Sequence, residues 1–216
     1  MPPSFQCPPD CGWCCTHLTR DVPPEEAAGT RQFRAWMRDL GVYHCTDAVT
    51  EGLSLSNAEA ARFSALAKER GLRVRLHPRT FLLETRRRQV VTLDWHFRHA
   101  SCPFYADYQC TIHADRPLVC RAFPVLAPGP RWSLAPQCPE VAPTLARGSL
   151  AAALKAESKA RRAIEAGHAQ VDAAAMRALD LPGARFAKGL APREAARRAR
   201  SYRVVALEAI LPDEPA

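Results

Sequence analysis

Eight thiols dominate the chemistry open to this chain. The segment CPPDCGWCC holds Cys7, Cys11, Cys14 and Cys15, and a looser set follows at Cys102, Cys110, Cys120 and Cys138. A thiolate is a soft ligand suited to zinc, copper(I) and iron, and two to four residues between thiols let a short loop wrap one ion. Three residues separate Cys7 from Cys11 and two separate Cys11 from Cys14, with Gly12 easing the turn. The gaps of seven and nine residues in the second set make lobes rather than a knuckle. Eight thiols match two four-coordinate sites, or one or two iron–sulfur clusters. Consecutive side chains point apart, so Cys14 and Cys15 suit two nearby ions, or two positions around a cluster, better than one ion. Zinc held by thiolates alone would be structural, because no coordination position is left open.

The remaining chemistry-bearing residues are fewer. Cys45, the ninth cysteine, follows His44 in an interhelical loop and reads as a spare thiol. His17, His96, His99 and His113 lie near the two cysteine sets and are alternative ligands. Arg116 and Arg121 flank Cys120 in DRPLVCRAFP. An arginine beside several thiolates offsets their charge and donates hydrogen bonds to them, and Asp115 would orient Arg116. The spacing Cys7-x3-Cys11-x2-Cys14 also matches that of radical S-adenosylmethionine enzymes. The helices and few short strands that follow do not make the barrel such an enzyme needs, so the match reads as accidental. No Ser/His/Asp or Cys/His/Asn arrangement can be specified, and no catalytic residue is assigned.

With 216 residues and 47% apolar composition, the chain buries a core without crosslinks. The odd cysteine count and the adjacent pair argue against disulfides. The first ten residues hold four prolines and no apolar run of the signal-peptide kind. No stretch approaches the roughly 18 apolar residues of a membrane span. The expectation is a cytoplasmic protein with reduced thiols and no membrane partner. Charge is uneven: residues 1–146 carry 17 Lys or Arg against 14 Asp or Glu, whereas 147–203 carry 13 against 5.

Periodicity places the elements around these residues. A helix starts at Pro23-Pro24, with Glu25 and Glu26 in its first turn, presents Phe33, Trp36, Met37 and Leu40 to the core, and stops at Gly41. A second runs from Ser56 to Arg70, with Ser56 and Glu59 as a capping box and Gly71 as terminator. Alternation over Leu72, Val74 and Leu76 predicts a strand with one wet face. Phe81–Thr85 and Gln89–Trp95 form two more strands, joined by a solvated tip at Arg86-Arg87-Arg88. From Cys102 to Cys138 the proline-rich chain is irregular. Leu150–Leu179 is helical, with Gly167 as a point of division, and a last helix runs from Pro192 toward Ile210.

At its cysteines the chain resembles the YkgJ-like group of small cysteine-cluster proteins, described as zinc- or iron-chelating domains. CPPDCGWCC is similar to that family's compact block ending in a doubled cysteine. CPFYADYQCTIHADRPLVCRAFP is similar to its signature of Cys-x-Ile, Arg-Pro and Cys-Arg-x-Phe-Pro, matched here by Arg116, Pro117, Arg121, Phe123 and Pro124. Tyr108-Gln109 stands where a glycine before the cysteine is common. The resemblance covers Cys7 to Cys138 and implies that all eight cysteines are metal-associated.

The expected architecture is α+β: a small irregular cysteine-rich core with short strands and packed helices over residues 1–146, then a basic helical extension over 147–216. The leading functional expectation is a protein that coordinates zinc or an iron–sulfur cluster and acts as an accessory or interaction module for an acidic partner. The alternatives are an iron–sulfur enzyme or electron-transfer protein, and a nucleic-acid-binding module using Arg197, Arg198, Arg200 and Arg203.

Overall fold

A computed structural model describes residues 11–17, 20–21, 24–45, 50–51, 53–97, 101–127, 133–135, 137–147 and 153–211. Cys7 and His99 lie outside them. In chain order the elements are α1 (Trp13–Thr16), β1 (Arg20–Asp21), α2 (Pro24–Leu40), β2 (Val42–His44), β3 (Thr50–Glu51), β4 (Leu53–Leu55), α3 (Asn57–Glu69), β5 (Leu76–Glu84) and β6 (Gln89–Phe97). They continue with β7 (Tyr105–Ala106), β8 (Gln109–Cys110), α4 (Leu118–Ala122), β9 (Val125–Ala127), β10 (Ser133–Leu134), α5 (Val141–Ala146), α6 (Lys155–Leu179), α7 (Pro192–Ser201) and β11 (Arg203–Ala206). The fold is α+β, with a mainly helical C-terminal region.

The chain forms two compact units. One, the cysteine unit, comprises Met1–Leu18, Leu66–Val74 and His99–His168; the other, the sheet unit, comprises Thr19–Ala65, Arg75–Arg98 and Ala169–Ala216. In the sheet unit β5 and β6 form an antiparallel hairpin, β2 pairs with β5, and β4 and β11 pair with different stretches of β6. The run from Phe81 to Glu84 and its partner from Gln89 to Leu93 are buried without alternation. Both faces of the sheet are covered, which removes the need for a polar side. On one face Leu82, Val91, Leu93 and Val42 pack with Ala175 and Ala178 of α6 and with Leu207. On the other, Tyr43, Phe81, Leu83 and Val90 pack with Ala195 of α7.

Local signals set several boundaries. Ser56 and Glu59 form the expected reciprocal cap: the Ser56 amide donates to Glu59 Oε2 at 3.1 Å, and the Glu59 amide to Ser56 Oγ at 3.2 Å. At the other end of α3, the Gly71 amide donates to the Lys68 carbonyl at 3.1 Å and the Leu72 amide to the Ala67 carbonyl at 2.9 Å. Leu72 is thereby used as a cap, and residues 72–75 take no regular structure; the strand expected from Leu72 begins only at Leu76.

Three further expectations are corrected. Phe33 and Trp36 are 56% and 57% exposed, and lie against each other at 5.6 Å with the rings tilted by 34° instead of entering the core. The inward stripe of α2 instead passes through buried Ala27, and Met37 packs against the core. Gly167 does not divide α6; strong helix formers on both sides carry the helix through it. The last helix ends at Ser201, and Arg203–Ala206 form a strand parallel to β6, with Val204 opposite Val90 and Val205 opposite Val91. The β-branched pair favours an extended chain.

The β5–β6 turn rests on Glu84, which is 2% exposed. Its carboxylate accepts the amides of Arg86 at 3.1 Å, Arg87 at 2.6 Å and Arg185 at 3.0 Å. Glu84→Ala strands these three donors and should cost about 3 kcal/mol, from the ~1–3 kcal/mol penalty for each unsatisfied buried group, reduced by solvent at the turn. A urea midpoint equal to that of the parent would refute this assignment.

Candidate metal centre

Gly12 shapes the first cysteine block. It sits in the left-handed region at φ 50°, and a Cβ there would overlap the phenol end of Tyr105. From this turn the single-turn helix α1 starts, its Cys15 and Thr16 amides donating to the Gly12 carbonyl at 2.9 and 3.0 Å. Cys14 and Cys15 are therefore neighbours on one helical turn. Trp13 stacks on His17 at 4.6 Å, with the rings 6° apart, and on Phe123 at 5.9 Å.

The second set is brought to the first by backbone and aromatic contacts. The Cys102 amide donates to the Cys15 carbonyl at 2.7 Å. The short β7–β8 hairpin then sets Cys110 opposite Tyr105. Its two-residue turn, Asp107-Tyr108, has φ values of 48° and 61°, the mirror-image turn that suits a twisted hairpin. Phe104 and Ile112 are buried beside it, and the Thr111 amide donates to the Phe104 carbonyl at 2.8 Å. Arg116 Nε donates to the His113 carbonyl at 3.1 Å, and Pro117 precedes α4, which carries Cys120 and leads to Phe123. The Ala135 amide donates to the Pro124 carbonyl at 2.8 Å, and Cys138 follows as a buried thiol at the approach to α5.

The thiols influence one another's protons. Cys15 keeps its proton, its pKa driven up by hydrogen bonding to Cys110 and then to Cys14, with burial adding to both. Cys14 falls to about 7, through the hydrogen bond from Cys15 against the opposing effect of burial, with help from the Arg116 charge. Cys110 falls to about 6, again through Cys15, against burial and with help from the Ile112 amide and Arg116. Burial raises Cys102 to about 11 and pushes Cys120 and Cys138 upward. Cys138 also feels the charges of Cys11 and Cys14.

One local device recurs at three of these cysteines. Backbone amides from Phe104, Ile112 and Glu140 donate to the sulfurs of Cys102, Cys110 and Cys138, each from two residues farther along the chain. Such donors favour the thiolate, the form a metal binds. Sequence reasoning missed this device and the Gly12–Tyr105 contact, because both depend on where the chain turns back.

Among the described residues, then, Cys11, Cys14, Cys15, Cys102, Cys110, Cys120 and Cys138 belong to the cysteine unit. Cys45 does not: it lies in the sheet unit, packed against the cluster around Tyr43 and Phe81. His96 is also in the sheet unit, while His113 is exposed. Arg116 is half-buried and its charge favours the thiolates of Cys14, Cys110 and Cys120, whereas Arg121 is exposed.

Among the described residues no three His, Cys, Asp or Glu side chains form a ready-made ligand set. The donor chemistry nevertheless fits zinc or iron: soft sulfurs, backbone donors to sulfur and a nearby guanidinium. No curated protein and no solved structure matches the chain. The family model CxxCxxCC, described as "Putative zinc- or iron-chelating domain", matches residues 6–139. This span is more than half of the chain and contains all eight clustered cysteines, and the chain belongs to that family.

Proposed function

We propose that the chain binds zinc or iron through the thiolates of Cys7, Cys11, Cys14, Cys15, Cys102, Cys110, Cys120 and Cys138, with Arg116 offsetting their charge. The observation that carries this reading is the meeting of the two cysteine sets at Cys15: the Cys102 amide donates to its carbonyl at 2.7 Å, and its thiol interacts with Cys14 from the first block and Cys110 from the second. Residues about a hundred positions apart meet there through sulfur. Bound zinc would supply a structural crosslink, and an iron–sulfur cluster would supply one-electron redox chemistry. The chain's own part is to hold the sulfurs, deprotonate them and screen their charge. An all-thiolate set leaves no position for substrate, which favours an accessory or interaction protein. Reduced thiols suit a cytoplasmic setting.

The test is metal and sulfide analysis, with an absorption spectrum, on protein purified without oxygen. Near-stoichiometric zinc in colourless protein identifies a structural centre; iron with inorganic sulfide and broad visible absorption identifies a cluster. Cys14→Ser and Cys110→Ser should each lower the metal content. Full retention in both variants would eliminate the proposed ligand set.

A further inference from the structure

Arginines of the sheet unit gather from three separate stretches of chain. Arg86, Arg87 and Arg88 form the β5–β6 turn. Arg185 lies beside it: the Thr85 amide donates to the Arg185 carbonyl at 2.7 Å, and the Arg185 amide donates to Glu84 at 3.0 Å. Arg203 opens β11 opposite Gln89, its amide donating to the Arg88 carbonyl at 3.0 Å, and Arg200 stands near the end of α7 just before it. All six side chains are exposed.

The acid within this group, buried Glu84, commits its oxygens to three backbone amides and, among the described residues, forms no ion pair with these guanidinium groups. Two of the guanidinium groups are steadied without being neutralised. Arg86 donates to the Gly183 carbonyl at 3.0 Å, and Arg88 lies over the Tyr202 ring at 5.6 Å. Among the described residues, Arg87, Arg185, Arg200 and Arg203 make no ion pair. Arg197 and Arg198 differ: Glu194 binds them at 2.8 and 2.7 Å, so the basic run of α7 is largely satisfied within its own helix.

We propose that the cluster of Arg86, Arg87, Arg88, Arg185, Arg200 and Arg203 binds the phosphodiester backbone of a nucleic acid. Each guanidinium fork takes two oxygens of a phosphate, and binding strengthens with every phosphate whose counterions are released. A polynucleotide presents dense, continuous charge that can meet cations from all three stretches at once. Phosphate contacts fix position without reading bases, so the binding is insensitive to base sequence.

The test is fluorescence anisotropy of the full, metal-loaded chain with a short labelled single strand and a duplex, over a range of potassium chloride concentrations. The triple variant Arg87→Gln, Arg185→Gln, Arg203→Gln should weaken binding on the order of tenfold and flatten the log–log salt slope by about 2 on the single strand and about 3 on the duplex, the loss expected for three phosphate contacts. Arg193→Gln, at the opposite end of α7, should leave both unchanged. A triple variant with the parent's urea midpoint, metal content and salt slope overturns the proposal, as does absence of binding at low salt. Displacement of the strand by polyglutamate at equal charge concentration also overturns it, in favour of an acidic protein partner.

Discussion

Stripping the metal from the loaded protein should unfold the cysteine unit while the sheet hairpin stays protected. Structural zinc in small domains contributes an apparent ~10 kcal/mol or more near neutral pH, because ligand binding and folding are one event. In this chain the thiols are held among irregular segments, a two-residue hairpin and single-turn helices, which have little stability of their own. The sheet unit instead has apolar clusters on both faces of β5 and β6. Hydrogen exchange read by peptide is the measurement. After chelation, amides of 102–127 should lose protection by several orders of magnitude, and those of 81–93 should keep theirs. Equal loss in both regions would show that the metal supports the whole chain, and no loss in either would remove the centre from the folding of this protein.

Gly12→Ala should destabilise the cysteine unit strongly. The left-handed backbone costs an L side chain ~1–2 kcal/mol, and overpacking costs a further ~1–3 kcal/mol, for a total of about 3 kcal/mol. The added Cβ overlaps the Tyr105 ring, and Tyr105 faces Cys110 across the β7–β8 hairpin. The damage should therefore reach metal content as well as the unfolding midpoint. A double-mutant cycle isolates the contact: in a Tyr105→Ala background the same substitution should cost only the backbone part. Equal cost in both backgrounds would mean that the ring yields freely.

What could be read from the residues was whatever depends on near neighbours. Ser56 and Glu59 cap one another three residues apart, Gly71 closes the same helix, and the hydrophobic runs around Arg86-Arg87-Arg88 form the expected hairpin. The cysteine motif was legible because thiols are rare and their spacing is distinctive. What escaped depends on distant partners. The β-branched Val204-Val205 pair is only a weak local signal, and Arg203–Ala206 become a strand once the free edge of β6 is supplied. Phe33 and Trp36 keep helical spacing, yet the buried stripe of α2 passes beside them. The arginine turn looked like a solvated tip, and its neighbours Arg185 and Arg203 become visible only through pairing across about a hundred residues.

The parallel pairing of β11 with β6 has a consequence for the order in which the protein is made. Between Phe97 and Arg203 the chain delivers most of the cysteine unit and all of its second set of thiols. On the ribosome, the edge of β6 from Gln89 to Thr92 must wait for about a hundred further residues before its last strand emerges. Synthesis at ~5–20 residues per second makes that interval several seconds long. During it an apolar strand edge stands open to self-association. All eight clustered cysteines are by then already in reach of metal, so the centre can be loaded before the sheet is finished.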